Sequence, residues 1–194
     1  KEQLDAGRKY YQEVLSGCQR AVAVDVGWAG SGAVTLNYVV NEIWGLECEV
    51  IGLVAGTNSV YNQEPDTSES LLQSGALHSY MYSQKHNRDL WKMHNPNQGD
   101  NIIVELLLAS EKQSFRRFSS EQSGFVFCDK KNEINASEVQ RGIIDFVNYY
   151  LERMQDIPKI SGRDAYAPIT VLLENRNWVK KIISGPRAWC CRKC

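Results

Sequence analysis

An α/β domain with a mainly parallel sheet is the fold class this sequence predicts, and three observations predict it. Two short, largely apolar runs, Ala21 to Val26 and Glu49 to Val54, have the length and residue types of buried strands. Between them Val34, Leu36, Val39, Val40 and Ile43 recur at helical spacing until Gly45 stops the pattern. A glycine-rich loop joins the first strand to that helix, so the whole is a βαβ unit, whose strands run parallel and whose crossover is right-handed.

The other elements follow in order. Glu2 to Leu15 sets Leu4, Tyr11, Val14 and Leu15 roughly on one helical face, with Gly17 beyond as a C-cap, which predicts a helix docked through that face. The first strand, wholly apolar except for Asp25, is expected to be buried on both faces. Asn58 to Ser70, polar and carrying Pro65 and Asp66, reads as an exposed loop, and Leu77 to Tyr82 alternates loosely like a strand. Asp100 is a good N-cap for a buried helix over Asn101 to Ser110. Gly124 to Cys128 reads as a strand and Asp129 to Asn135 as a turn. Ser137 with Gln140 has capping-box spacing, and Ile143, Ile144, Phe146, Val147, Tyr150 and Leu151 form a helical stripe meant for the core. Two shorter helices are predicted at Tyr166 to Asn175 and Asn177 to Ile183.

Composition narrows the function. The 194 residues carry 22 Lys plus Arg against 23 Asp plus Glu, a formal charge of −1, so no global positive field exists to attract nucleic acid. No apolar run approaches the roughly 20 residues a bilayer requires. The six cysteines are sparse except for Cys190, Cys191 and Cys194, no secretory leader opens the sequence, and a reducing, cytoplasmic setting is expected. Lys1 stands where an initiator Met would, so the sequence is expected to be a fragment of a larger protein: one α/β domain over 1–194 with a flexible Cys-rich tail at 187–194.

The chemistry concentrates in Asp25-Val26-Gly27-Trp28-Ala29-Gly30-Ser31-Gly32. Three glycines between a strand and a helix free the backbone and let a ligand come close. The helix beyond aims unpaired N–H groups and its positive dipole end at that ligand, for which a phosphate is the natural choice. Gly27, Gly30, Ser31 and Gly32 would bind it, Trp28 would stack on a sugar or base, and Asp25, at the strand's C-terminal end, would orient hydroxyls, hold a cation or act in catalysis. The spacing G-x-x-G-x-G is neither the dinucleotide nor the nucleoside-triphosphate fingerprint. The alternative is a tight strand-to-helix turn whose glycines serve packing, with Asp25 capping backbone N–H groups.

Asp25-Val26-Gly27-Trp28-Ala29-Gly30-Ser31 resembles the D-[IV]-G-W-x-G-[ST] motif of a Rossmann-like region found C-terminal to haloacid-dehalogenase-type hydrolase domains in bacterial proteins, often linked to glycosyltransferases and surface polysaccharide genes. Val104-Glu105-Leu106-Leu107-Leu108-Ala109-Ser110 is similar to that region's E-L-L-x-S segment, and Val139-Gln140-Arg141-Gly142-Ile143-Ile144-Asp145-Phe146 to its Q-x-G-I-x-[DE]-F helix. The resemblance implies a Rossmann-like, three-layer α/β domain that handles phosphorylated or nucleotide-linked sugars beside a hydrolase or glycosyltransferase domain. Asp25-Val26-Gly27 lacks the second Asp of the dehalogenase nucleophile motif, so that phosphatase site is expected upstream of this chain.

Other residues have plainer readings. Cys191-Arg192-Lys193-Cys194 lacks the second ligand pair a structural zinc needs, and no metal site is predicted. His78, His86 and His94 are spaced by eight residues, and His86 and His94 fall in polar, loop-like sequence that reads as solvated, with a general-base role the alternative. Glu105, inside an apolar helix, is either an edge-of-core residue or a ligand-facing acid that needs a partner. Arg116 and Arg117 read as a charged loop, or as a clamp for phosphate oxygens. The expected function is binding, or turnover by a transferase or hydrolase, of a phosphorylated or nucleotide-activated sugar in bacterial surface polysaccharide assembly, with no particular cofactor implied. The rival is a noncatalytic interaction domain.

Overall fold

The computed structural model describes residues 1–57, 68–108, 115–119, 124–128, 137–154, 156 and 159–174. Its centre is a parallel sheet in the order β1–β2–β3, formed by Arg20–Asp25 (β1), Glu49–Gly56 (β2) and Leu77–Tyr82 (β3). Ala21 lies opposite Val50 and Asp25 opposite Val54, while Leu53 lies opposite His78. The α/β class and the parallel pairing stand as the sequence predicts. Helix Glu2–Val14 (α1) precedes the sheet, Ser31–Tyr38 (α2) joins β1 to β2, and Ser68–Ser74 (α3) precedes β3.

The βαβ unit is held by local chemistry. After α2 the chain runs on through a wider π turn, Val39–Ile43, in which the Trp44 N–H donates to the Val39 carbonyl at 2.9 Å. That turn sets Val40 and Trp44 into a buried cluster with Cys48 and Val50. Asn37 and Asn41 tie the helix to the next strand: the Asn41 amide donates to the Cys48 carbonyl at 2.9 Å, and the Val50 N–H donates to Asn37 Oδ1 at 2.8 Å. A second cluster gathers Ala55, Met81 and Tyr82 of the sheet with Leu90 and Trp91 of Arg88–Met93 (α4) and Tyr166 of Gly162–Glu174 (α7). Where β2 meets β3 the register shifts between Val54 and Gly56, and the Tyr82 ring lies over Gly56, where a Cβ would come within 2.5 Å of its Cζ. Only glycine admits that ring.

Several expectations are corrected. β1 is not buried on both faces: its exposure alternates, with Val22 57% and Val24 71% exposed, because β1 is an edge strand and among the described residues no element covers that face. Of the face predicted to dock α1, Tyr11 and Leu15 pack against the Val40 and Trp44 cluster, but Leu4 and Val14 do not. Ala6 and Gly7 are buried while Leu4 and Val14 are exposed, because Trp44 and Phe118 close on the bare backbone of Gly7. Arg116 and Arg117 lie in a strand, Phe115–Phe118 (β4), paired antiparallel with Phe125–Phe127 (β5). Phe118 of β4 packs against Tyr10 and Tyr11 of α1 and Phe125 of β5 against Tyr10, a docking that no local pattern announces.

Asp100–Leu107 (α5) is the helix expected over Asn101 to Ser110, but Asp100 is its first residue rather than its N-cap, and its carboxylate accepts the Asn95 N–H instead. Ser137–Arg153 (α6) is the predicted helix, but its stripe is solvent-facing, with Ile144 58% and Phe146 61% exposed. α7 begins at Gly162 rather than Tyr166 and carries Pro168 within it. Helix α4 and the 3₁₀ turn Pro96–Gln98 were not predicted. The loop expected over Asn58 to Ser70 is described only from Ser68, where α3 begins. The turn at Asp129 to Asn135, the helix at Asn177 to Ile183 and the tail at 187–194 lie outside the described residues. No described helix is long and apolar enough to cross a membrane.

Candidate functional site

Ligands of open parallel sheets sit beyond the C-terminal strand ends. Here those ends present Asp25 on β1, Thr57 just past β2 and Tyr82 on β3, with the glycine turn leading into α2. Gly30 takes a left-handed φ of +72° as the N-cap of α2 and has no side chain to cap it, so among the described residues the amides of its first turn have no capping side-chain oxygen. Ser31 and Gly32 are exposed at that end. A Cβ on Gly30 would collide with Leu77 of β3, so this glycine is required by packing and by φ together. Gly32 has no such constraint: the one atom near its missing Cβ is Asp25 Oδ2, at 3.9 Å.

Asp25 is half-committed. Its Oδ1 accepts the Gly27 N–H at 2.8 Å, which is the capping role of the packing alternative, while Oδ2 faces the start of α2. Across the sheet end, burial and then the nearby Asp25 carboxylate push the Tyr80 phenol above its ordinary value.

Trp28 points inward. Its indole N–H donates to Glu105 Oε1 at 3.0 Å, and its ring stacks on His94 at 4.5 Å. Glu105 thus has the partner its position in an apolar helix requires, and the two residues hold the glycine turn onto α5.

His94 is a correction, since it is 2% exposed rather than solvated. Nε2 lies 2.6 Å from Asn101 Oδ1, which can only accept, so Nε2 carries the proton. Nδ1, 2.6 Å from the Tyr166 hydroxyl, then accepts its proton. Burial lowers the His94 pKa, opposed in part by the Asn101 hydrogen bond and the Asp100 charge. Burial first, and Asp100 as well, push the Tyr82 and Tyr166 phenols far up. Asp100 is itself buried and accepts the Asn95 N–H at 2.8 Å. Asp100 and Tyr166 line a cavity of about 290 Å³ together with Gln98, Thr170 and Glu174. The Thr57 and Tyr82 hydroxyls are buried without a hydrogen-bond partner among the described residues.

Sequence reasoning missed this cluster because His94 meets Tyr166 across 72 residues, and polar sequence around a histidine gives no sign of burial. His86 stays at the surface, its Nδ1 3.1 Å from the Ser83 hydroxyl, and His78 is exposed on β3. Among the described residues no three His, Cys, Asp or Glu side chains converge as metal ligands.

The buried imidazole makes stability pH-dependent. Its folded pKa lies below the ordinary value of about 6.5, so the unfolded chain holds the extra proton between the two, and stability present above pH 6.5 falls as the pH drops. His86, also lowered by burial, adds a smaller part. Asp89, held at about 2 by the Arg163 guanidinium, titrates only below this window. The melting temperature is expected to decline from pH 7.5 to 5.5 in the parent and to flatten in His94→Gln; an unaltered pH slope in that variant rejects the assignment.

A second cavity, an open groove of about 470 Å³, runs between α1, α2 and β4. It brings Gly32 and Thr35 of α2 together with Arg116 and Arg117. Among the described residues neither arginine makes an ion pair, and no carboxylate lines the groove. Separated by more than 80 residues in sequence, the glycine turn and the arginine pair are joined only by the fold. Comparison with family models, with characterised proteins and with solved structures returns no match to this chain.

Proposed function

We propose that this chain binds a phosphorylated or nucleotide-activated sugar at the glycine turn, as the Rossmann-like resemblance implies, within the assembly of bacterial surface polysaccharide. The observation that carries the reading is the groove in which the uncapped start of α2, at Gly32, faces the same space as Arg116 and Arg117. Helix amides and guanidinium groups recognise the same ligand, an oxyanion, and two guanidinium groups can bind it bidentately. In this reading Asp25 Oδ2, near Gly32 though outside the groove's walls, accepts a sugar hydroxyl, and Ser31, exposed at the start of α2, donates one more hydrogen bond. Trp28 and Glu105, engaged with each other, serve here to fix the turn rather than to stack on the sugar.

Titration with UDP-glucose, glucose 1-phosphate and inorganic phosphate, followed by melting temperature, tests this. A ligand at 100 times its Kd stabilises by about 2.7 kcal/mol. Arg116→Ala combined with Arg117→Ala should weaken binding by about 1.5–3 kcal/mol per charged hydrogen bond lost. The parent melting temperature should rise and the double variant's should not; a flat response in the parent sinks the proposal.

A second reading, the noncatalytic interaction domain, draws on the apolar faces left open on β1 and α6, where Val24 and Phe146 are exposed. Faces of that kind are found where another protein surface docks. A flat ligand screen moves the weight to this reading.

A further inference from the structure

From the walls of the groove we infer that its ligand is an amphiphile, a phosphate ester carried on an aliphatic chain. The chain lies along Leu4, Leu36 and Val39 against Trp44, and the phosphate lies between Arg116, Arg117 and the start of α2. The inference rests on the anion-site reading above and narrows its ligand class.

Three observations select the aliphatic body over a nucleoside. The walls offer few side-chain groups to read the edge of a base: both ends of the Gln3 amide are spent on the backbone of Phe118, accepting its N–H at 2.9 Å and donating to its carbonyl at 3.3 Å, which leaves the Thr35 and Tyr11 hydroxyls and the Trp44 indole N–H beside the two arginines that the phosphate would engage. A base met by so few polar partners gives up more hydrogen bonds to water than the walls return. The aromatic rings are also packed on one another. Tyr11 stacks on Trp44 at 5.6 Å and meets Phe118 edge-on, while Phe118 and Phe115 meet edge to face, so no pair of parallel faces is left to sandwich a planar ring. Finally, Leu4 and Phe115 stand about half exposed along the groove, at 48% and 51%, which is apolar surface that an aliphatic chain would cover. Charge settles which end carries the anion, because among the described residues the ionised groups on the walls are the two arginines.

The test uses farnesyl phosphate below its micellar concentration, with farnesol, inorganic phosphate and UDP-glucose as separate arms, read by tryptophan fluorescence and melting temperature. Farnesyl phosphate is expected to bind at least about 10-fold tighter than any of the other three, because head and chain contribute together. Arg116→Ala with Arg117→Ala should reduce it to the level of farnesol. Leu4→Asp, at an exposed helix position that leaves the core untouched, should weaken its binding by a larger factor than that of inorganic phosphate, because the new carboxylate opposes both anions but removes the chain's contact as well. Binding of UDP-glucose with none of farnesyl phosphate overturns the inference and leaves the anion site standing; silence in every arm overturns both. Equal binding of farnesol and farnesyl phosphate, indifferent to the arginines, also overturns it, as does a dimer that Leu4→Asp dissociates and farnesyl phosphate does not.

Discussion

Tyr166→Ala is expected to cost about 3–5 kcal/mol, the range for deleting a large buried ring, and so to remove about a fifth or more of the stability of an ordinary domain. Tyr166 is fully buried on α7, edge-on to Tyr82 at 5.2 Å, and is the donor to His94. The alanine therefore leaves both a cavity and a buried imidazole nitrogen with no partner. Tyr166→Phe separates the two effects. It keeps the ring and removes only the hydroxyl, for which an unpaired buried acceptor costs about 1–3 kcal/mol. Urea denaturation of both variants, with the m-value held as a check on two-state behaviour, measures each share. Should Tyr166→Phe fall within the ±0.5 kcal/mol typical of surface substitutions, the His94–Tyr166 bond holds nothing together, while the pH dependence assigned to His94, which rests on burial, stands.

What the sequence disclosed and what it hid divide along contact distance. Asp25 to Ser31 was legible because strand end, glycine turn and helix start are contiguous and each announces itself by residue type. The parallel pairing of β1 with β2 followed from the same unit. Arg116 and Arg117 were misplaced in a loop because Phe-Arg-Arg-Phe has no alternation, and what makes it a strand is pairing with β5 and the docking of its rings on α1, more than 100 residues away. Apolarity was over-read twice. An apolar run in β1 and an apolar stripe on α6 both implied burial, yet Val24 and Phe146 face outward, since composition records what a surface can bury and not what stands opposite it. His94 is the converse case, a polar residue in polar sequence that the fold nonetheless encloses.

The glycine turn offers a sharper separation of structure from function, because Gly30 and Gly32 answer differently to one added methyl group. Gly30→Ala should cost about 1–2 kcal/mol for the left-handed φ and about 1–3 kcal/mol for overpacking against Leu77. Only the second share depends on Leu77. In a Leu77→Ala background, itself destabilised by about 2–5 kcal/mol, Gly30→Ala should cost only the backbone share, and the double-mutant cycle should return a coupling of about 1–3 kcal/mol. Gly32 sits inside α2 with no left-handed φ and open space at its Cβ, so Gly32→Ala should hold or raise stability by about 0.4–1 kcal/mol. The same methyl group narrows the approach to the first-turn amides, and anion binding should weaken in that variant while its melting temperature does not fall. If Gly32→Ala binds phosphate ligands as the parent does, the start of α2 is not where the anion sits, and the arginines would have to hold it alone.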